Sequence, residues 1–294
     1  MRMLTVAGIR EDCRLGFVRQ IAALLFIVAL PVALVTTNVR IVINEPRLYE
    51  YATDHYNTTA TTGIARDELL GASGELRDYF NNDEESIFVR VEKDGEPISL
   101  FNPRETAHLR DVKTLVQTSF RVQEMAIIFV LAYVVGVFIW AREGSLRTLA
   151  RQVLLSGLFS LVVIGALGAA IAVGFDQTFE QFHLIAFDND FWRLNPARDH
   201  LIQMFPEGFW RDVSLGVGVA TLAQLAVLAA LSGAYLGLTR RESRRYMAPA
   251  GAHPQAQHLA PHQATRRPGG RDGGSGGLAG DVGPGAHVLL TALG

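Results

Sequence analysis

Residues 20–43, QIAALLFIVALPVALVTTNVRIVI, decide how this chain has to be read. The stretch is apolar on every side, not along one stripe, and a bilayer core of about 30 Å takes roughly 20 such residues as a helix. A basic flank and an apolar centre also suit a secretory leader, but this run is long for one. Its apolar centre IAALLFIVALPVALV (21–35) is followed by TTNVR (36–40), where small residues would mark a cleavage site. It therefore reads as a retained membrane helix, expected to bend at Pro31. Three further blocks have the same character, at residues 121–141, 149–175 and 213–238.

The 294 residues are 49% hydrophobic with a formal net charge of −2, so nothing points to nucleic acid. Arginine sets the topology. Arg2, Arg10, Arg14 and Arg19 precede the first block, Arg142, Arg147 and Arg151 lie at the junction of the second and third, and Arg240, Arg241, Arg244 and Arg245 follow the fourth. Four crossings put all three groups on one side, which the positive-inside rule makes cytoplasmic. The expected order is a cytoplasmic N-terminus (1–19), a first crossing (20–43) and an extracytoplasmic loop (44–120). A second crossing (121–141), a cytoplasmic turn (142–148) and a third crossing (149–175) follow. An extracytoplasmic aromatic loop (176–212), a fourth crossing (213–238) and a disordered cytoplasmic tail (239–294) complete it. The fold class is an all-α membrane protein: four transmembrane helices with a small α+β extracytoplasmic region. Cys13 is alone and cytoplasmic, so no disulfide secures the outer region, and the irregular spacing of His253, His258 and His262 argues against a metal tract.

Within the first loop, TGIARDELLGASGELRDYFNN reads as helix interrupted at Gly71 and Gly74. SIFVRVEKDGEPISLF reads as a hairpin turning at Asp94-Gly95. Asn102-Pro103-Arg104-Glu105 is a helix start, with a capping asparagine, proline at the first helical position and glutamate at the capping-box position. The helix carries Leu109, Val112, Leu115 and Val116 at helical spacing. It is expected to lie in the membrane interface and to turn near Thr118-Ser119, since a straight run would hold His108 about 20 Å above the membrane. The second loop mixes charges with eight aromatic residues, nine with Phe175 just before it, more than anchoring of helix ends requires.

The membrane blocks hold almost no ionisable groups at their centres, which disfavours a channel or a proton-coupled transporter. Chemistry therefore belongs in the loops. His108 and Asp111 share one helical face, an arrangement that suits an oriented base but is common in solvated ion pairs. His183 follows the third crossing, where an interfacial imidazole is equally in place. The topology puts both histidines on the same side of the membrane, free to converge.

Two runs carry a resemblance. LFNPRETAHLRDVK (100–113) is one; Phe182-His183, FWRL (191–194), Asp199 and LIQMFPEGFW (201–210) make up the other. Together they resemble the bacterial lipoprotein intramolecular transacylases, over roughly residues 17–240. The resemblance implies transfer of an acyl chain from the glyceryl sn-2 ester of a lipoprotein to the α-amine of its own lipidated N-terminal cysteine. Its partners are then diacylglyceryl-modified lipoprotein N-termini and membrane lipid, and the functional histidines match His108 and His183. Ester-to-amide transfer needs no cofactor. His108, steered by Asp111, is expected as base on the amine, with His183 assisting the departing glycerol oxygen; the reverse assignment is open. Trp192, Arg193, Arg198 and Asp199 are the expected substrate-binding residues, Arg193 or Arg198 meeting the oxyanion. Two alternatives are a metal-dependent membrane hydrolase built on His108, Asp111, His183 and Glu207, and a non-enzymatic sensor or scaffold.

Overall fold

The computed structural model describes residues 6–140 and 145–247, with side chains for 16–139 and 146–240. The Cys13 side chain, Arg142 in the turn, and the tail with His253, His258 and His262 lie outside the described residues. Among the described residues, four helices are long and apolar enough to cross a membrane. They are α1 (Val6–Asn44), α5 (Pro103–Trp140), α6 (Ser145–Val173) and α9 (Glu207–Met247).

Helix α1 packs against the other three. It continues through Pro31, where the notch in its hydrogen-bond ladder is filled from a neighbour. Proline has no N–H to give to the carbonyl four residues back, and that carbonyl, on Ile27, accepts instead from Ser156 Oγ of α6 at 2.9 Å. In hydrocarbon each such group must find a partner within the protein. Further along, Asn38 donates to Thr221 Oγ1 at 2.9 Å and to Gln224 Oε1 at 3.0 Å, tying α1 to α9. Gln123 donates to Thr37 at 3.0 Å, tying α5 to α1.

At one end of the bundle the remaining elements form a cap. Its pieces are α2 (Pro46–His55), α3 (Thr58–Thr62), α4 (Arg66–Asn81), β1 (Arg90–Lys93), β2 (Glu96–Ser99), α7 (Phe175–Ala186) and α8 (His200–Met204). The strands pair antiparallel, Arg90 opposite Ser99 and Lys93 opposite Glu96. Asp94 and Gly95 both turn at positive φ, 54° and 81°, the geometry of a two-residue hairpin loop. The expected break at Gly71 and Gly74 is absent: α4 runs through both, held by Leu69, Ala72, Leu76 and Tyr79, all buried in the cap core. Tertiary burial outweighs the roughly 1 kcal/mol that each glycine costs a helix.

The turn expected near Thr118-Ser119 is absent as well, because α5 continues from Pro103 to Trp140. Its apolar stripe packs on protein: Leu109, Val116 and Phe120 belong to the cap core with Tyr79, Val89 and Phe205. A second face is stitched to the segment after α4. Arg110 donates to Ser86 Oγ at 2.7 Å, Lys113 to the Glu84 carbonyl at 2.6 Å and Gln117 to the Asn82 carbonyl at 3.0 Å. With both faces engaged, the first half of α5 is the pillar of the cap, and its stripe of Leu109, Val116 and Phe120 is not free to lie on lipid.

Candidate active site

The site is built on the first turns of α5. Asn102 Oδ1 accepts from the Arg104 and Glu105 amides at 2.9 and 3.1 Å, and Glu105 Oε2 takes the Asn102 amide at 2.8 Å. This is the reciprocal capping box expected from the sequence. Glu105 then does something local pattern does not reveal: its other oxygen accepts from the Leu201 amide at 2.7 Å. Asn102 likewise donates to Asp199 Oδ1 at 3.0 Å, and Asp199 Oδ2 accepts from the Asn195 amide at 2.6 Å. The helix start therefore also anchors the second loop.

From that anchor, residues 187–193 cross the face of α5 that carries His108. Arg104, one turn before His108, donates through Nη2 to the Asp190 carbonyl. Asp111, three residues after it, accepts from Asn189 Nδ2 at 2.9 Å. No Asp111–His108 hydrogen bond is made; Asp111 Oδ2 accepts from Asn189 instead, and the carboxylate acts on His108 through its charge alone. His108 lies beneath this strap, 7% exposed, with the edge of Phe187 at 5.2 Å between ring centres.

His183 comes from α7. Gly174 breaks the helical path in extended backbone between α6 and α7, and the new helix presents His183 to α5. The two imidazoles lie 6.0 Å apart between centres, inclined by 38°. His183, 6% exposed, is stacked on Trp192 at 4.8 Å and meets Phe179 edge-on at 4.3 Å.

Its Nδ1 lies 2.7 Å from the Phe179 carbonyl. A carbonyl only accepts, so Nδ1 carries a proton and the neutral ring has its lone pair on Nε2. Burial pushes the His183 pKa below the ordinary imidazole value, opposed by the bond to Phe179. The ring is thus neutral at pH 7 with one basic nitrogen. His108 differs: its Nδ1 is buried and has no hydrogen-bond partner among the described residues.

The remaining expected residues fall at graded distances from the pair. Trp192 touches His183. The Arg193 guanidinium lies over Trp192 at 4.6 Å and pairs with Asp190 at 3.1 Å and Glu180 at 3.7 Å, one layer out. Asp199 is 2% exposed and engaged in the cap of α5, with Arg198 Nε 3.5 Å away on a largely exposed side chain. Glu207 starts α9 and is not among the hydrogen-bond or ring partners of the pair. Among the described residues no three His, Cys, Asp or Glu side chains gather as a metal site. Phe179, Phe187 and Asn189 complete the surroundings and were not foreseen. Only the spacing of Phe179 and His183, one helical turn, signals any of them in the sequence.

Four apolar helices carrying a mixed cap, with two adjoining buried histidines inside it, define a multi-pass membrane protein with a preformed site. The family model described as lipoprotein intramolecular transacylase Lit matches residues 24–210, more than half of the chain, and the chain belongs to that family. A solved structure of the membrane-integral lipoprotein intramolecular transacylase Lit from Bacillus cereus superposes with a TM-score of 0.64 at 19% identity, covering 77% of this chain and 99% of the other. A structure of the same protein with one histidine replaced by arginine gives 0.60 at 20% identity, covering 80% and 99%. At these identities the likeness is one of fold. An uncharacterized protein of Aquifex aeolicus is 29% identical over 119 residues, a match spanning 40% of this chain and 50% of that relative.

Proposed function

We propose that this chain moves an acyl group from the glyceryl ester of a lipoprotein to the α-amine of the same lipoprotein's N-terminal cysteine, on the extracytoplasmic side of the membrane. The arginine groups that bracket the crossings favour N- and C-termini inside and the cap outside. The observation that carries the reading is the imidazole pair: two buried rings 6.0 Å apart, one with its tautomer set by a backbone carbonyl.

The order of roles inverts the sequence-based expectation. His183 Nε2 is the base, because the Phe179 carbonyl sets its tautomer and burial keeps it neutral. As the amine attacks the ester carbonyl, His183 takes the proton that the nitrogen must lose. His108, neutral and without a carboxylate bond, donates a hydrogen bond to the carbonyl oxygen as charge develops there. The C–O bond to glycerol then breaks, the proton on His183 passes to the departing glyceryl oxygen, and the products are an amide and a free glyceryl hydroxyl. A free α-amine has a pKa of about 7.7–8.0, so at neutral pH proton removal is a real part of the barrier, and a placed base contributes roughly 10²–10⁴ in rate. Amine and ester belong to one molecule, so proximity supplies much of the remainder.

Because α5 is uninterrupted, His108 stands 14 residues before Val122, about 20 Å along the helix. Beside His183 on α7, Phe182 is 48% exposed and Ile185 85%, an apolar surface next to the rings.

The test is expression in a bacterium that lacks N-acylation, with mass spectrometry of lipoprotein N-terminal peptides, alongside His108→Ala and His183→Ala. N-acylated, monoacylglyceryl peptides are expected from the unaltered chain alone. Peptides that remain diacylglyceryl with a free amine refute the reaction, and a fully active alanine variant refutes the two-histidine mechanism.

A further inference from the structure

Outside the histidine pair, the start of α5 and the second loop enclose an open cleft of about 410 Å³, lined by Asn102, Pro103, Arg104, Arg198 and Asp199. Its size is at the small end of ligand clefts, and its lining is polar and charged where an acyl chain would need aliphatic walls. The charges in it are unequally engaged. Asp199 is 2% exposed and both its oxygens accept from the fold, Oδ1 from Asn102 and Oδ2 from the Asn195 amide. Arg198 leaves most of its side chain in solvent, 71% exposed, with a single long contact of 3.5 Å from Nε to Asp199. Arg104 gives Nη2 to the Asp190 carbonyl, and its Nε is buried without a partner among the described residues. A guanidinium has five N–H donors, so the unspent capacity of the cleft is for an acceptor that carries negative charge.

Position says which acceptor. Arg104 and His108 are four residues apart on one helical face, about 6 Å along the axis, with Arg104 on the side away from the membrane-crossing part of α5. An extended peptide covers about 3.3–3.6 Å per residue, so a chain leaving the His108 ring draws level with Arg104 about two residues later. We propose that the cleft is a subsite for the polypeptide just beyond the lipidated cysteine, and that Arg104 and Arg198 select a carboxylate side chain there. This rests on the transacylase reading above. A lysine at the same place meets two cations and no free carboxylate, so the cleft discriminates by charge while the histidines act on the ester.

The experiment uses the full chain in phosphatidylcholine vesicles with synthetic diacylglyceryl-cysteinyl peptides. Asp, Asn or Lys is placed in turn at each of the first four positions after the cysteine. At one position KM is expected to be lowest for Asp and highest for Lys, by about tenfold, the size of one partly exposed charge-assisted hydrogen bond. Arg198→Gln should erase the preference, read as the ratio of KM for the Asp and Lys peptides, Arg198→Lys should retain part of it, and Arg198→Glu should invert it. Arg104→Gln should weaken it too. Indifference at all four positions, with acyl transfer intact, overturns the subsite and leaves the reaction standing. Failure to transfer to any peptide overturns both. If the arginine variants change KM only when phosphatidylglycerol is added, whatever the peptide charge, the cleft holds a lipid headgroup and the proposal is wrong.

Discussion

Replacing His183 by asparagine separates its chemistry from its packing. Asparagine Nδ2 occupies nearly the place of the imidazole Nδ1, so the 2.7 Å bond to the Phe179 carbonyl is kept while the basic Nε2 is removed. That bond is worth about 1 kcal/mol net, and its retention keeps the last turns of α7 in place. The expected result is a fall in acyl-transfer rate of roughly 10²–10⁴, which is about 3–5 kcal/mol of transition-state stabilisation, with thermal stability close to that of the unaltered protein. His183→Ala loses the same chemistry and in addition the ring contacts with Trp192, Phe179 and Phe187. Emptying that much buried volume costs about 2–4 kcal/mol, so its melting midpoint should lie well below that of the asparagine variant. Both quantities come from one preparation in detergent: mass spectrometry of a diacylglyceryl lipopeptide for the rate, and a melting curve for stability. An asparagine variant retaining more than about a tenth of the rate would show that Nε2 is not the base.

Three further outcomes follow from the same geometry. Asn189→Ala removes the strap's bond to Asp111, partly exposed and worth about 1 kcal/mol, so kcat should fall about fivefold with KM little changed; an unchanged kcat means that the strap does not position His108. Since the folded protein holds His183 below the ordinary imidazole pKa of about 6.5, the unfolded chain binds the extra proton as pH falls through that value. Stability is therefore full above it and declines below, and melting curves from pH 8 to pH 5 should show a smaller decline in His183→Asn. Asn102→Ala loses both the cap of α5 and the bond to Asp199, with an expected cost of about 1–2 kcal/mol and a loosened second loop, seen as faster amide exchange over residues 195–201.

Much of this was legible because it is governed by neighbours in sequence. A helix start is specified within four residues, and Asn102, Pro103 and Glu105 form the capping box their order implies. The Asp94-Gly95 hairpin is equally local, and the residue runs 100–113 and 182–210 pointed to the family. What failed was whatever depended on the partner of an apolar or charged face. The stripe Leu109–Val116 has the same period whether it meets lipid or protein, and it meets the cap core. Asp111 stands three residues from His108, as an orienting carboxylate would, yet its bond goes to Asn189, 78 positions away.

From sequence alone came the four crossings, since the length and purity of an apolar run are properties of the run, and the two histidines worth watching. Only the tertiary structure decided that these rings adjoin, which of them has its tautomer set by a backbone carbonyl, and that a strap from the second loop holds His108 under it. The reason is physical: hydrophobic length and capping act over a few residues, whereas tautomer, burial and hydrogen-bond partner depend on side chains that the folded chain brings together from 75 positions apart, as it does His108 and His183.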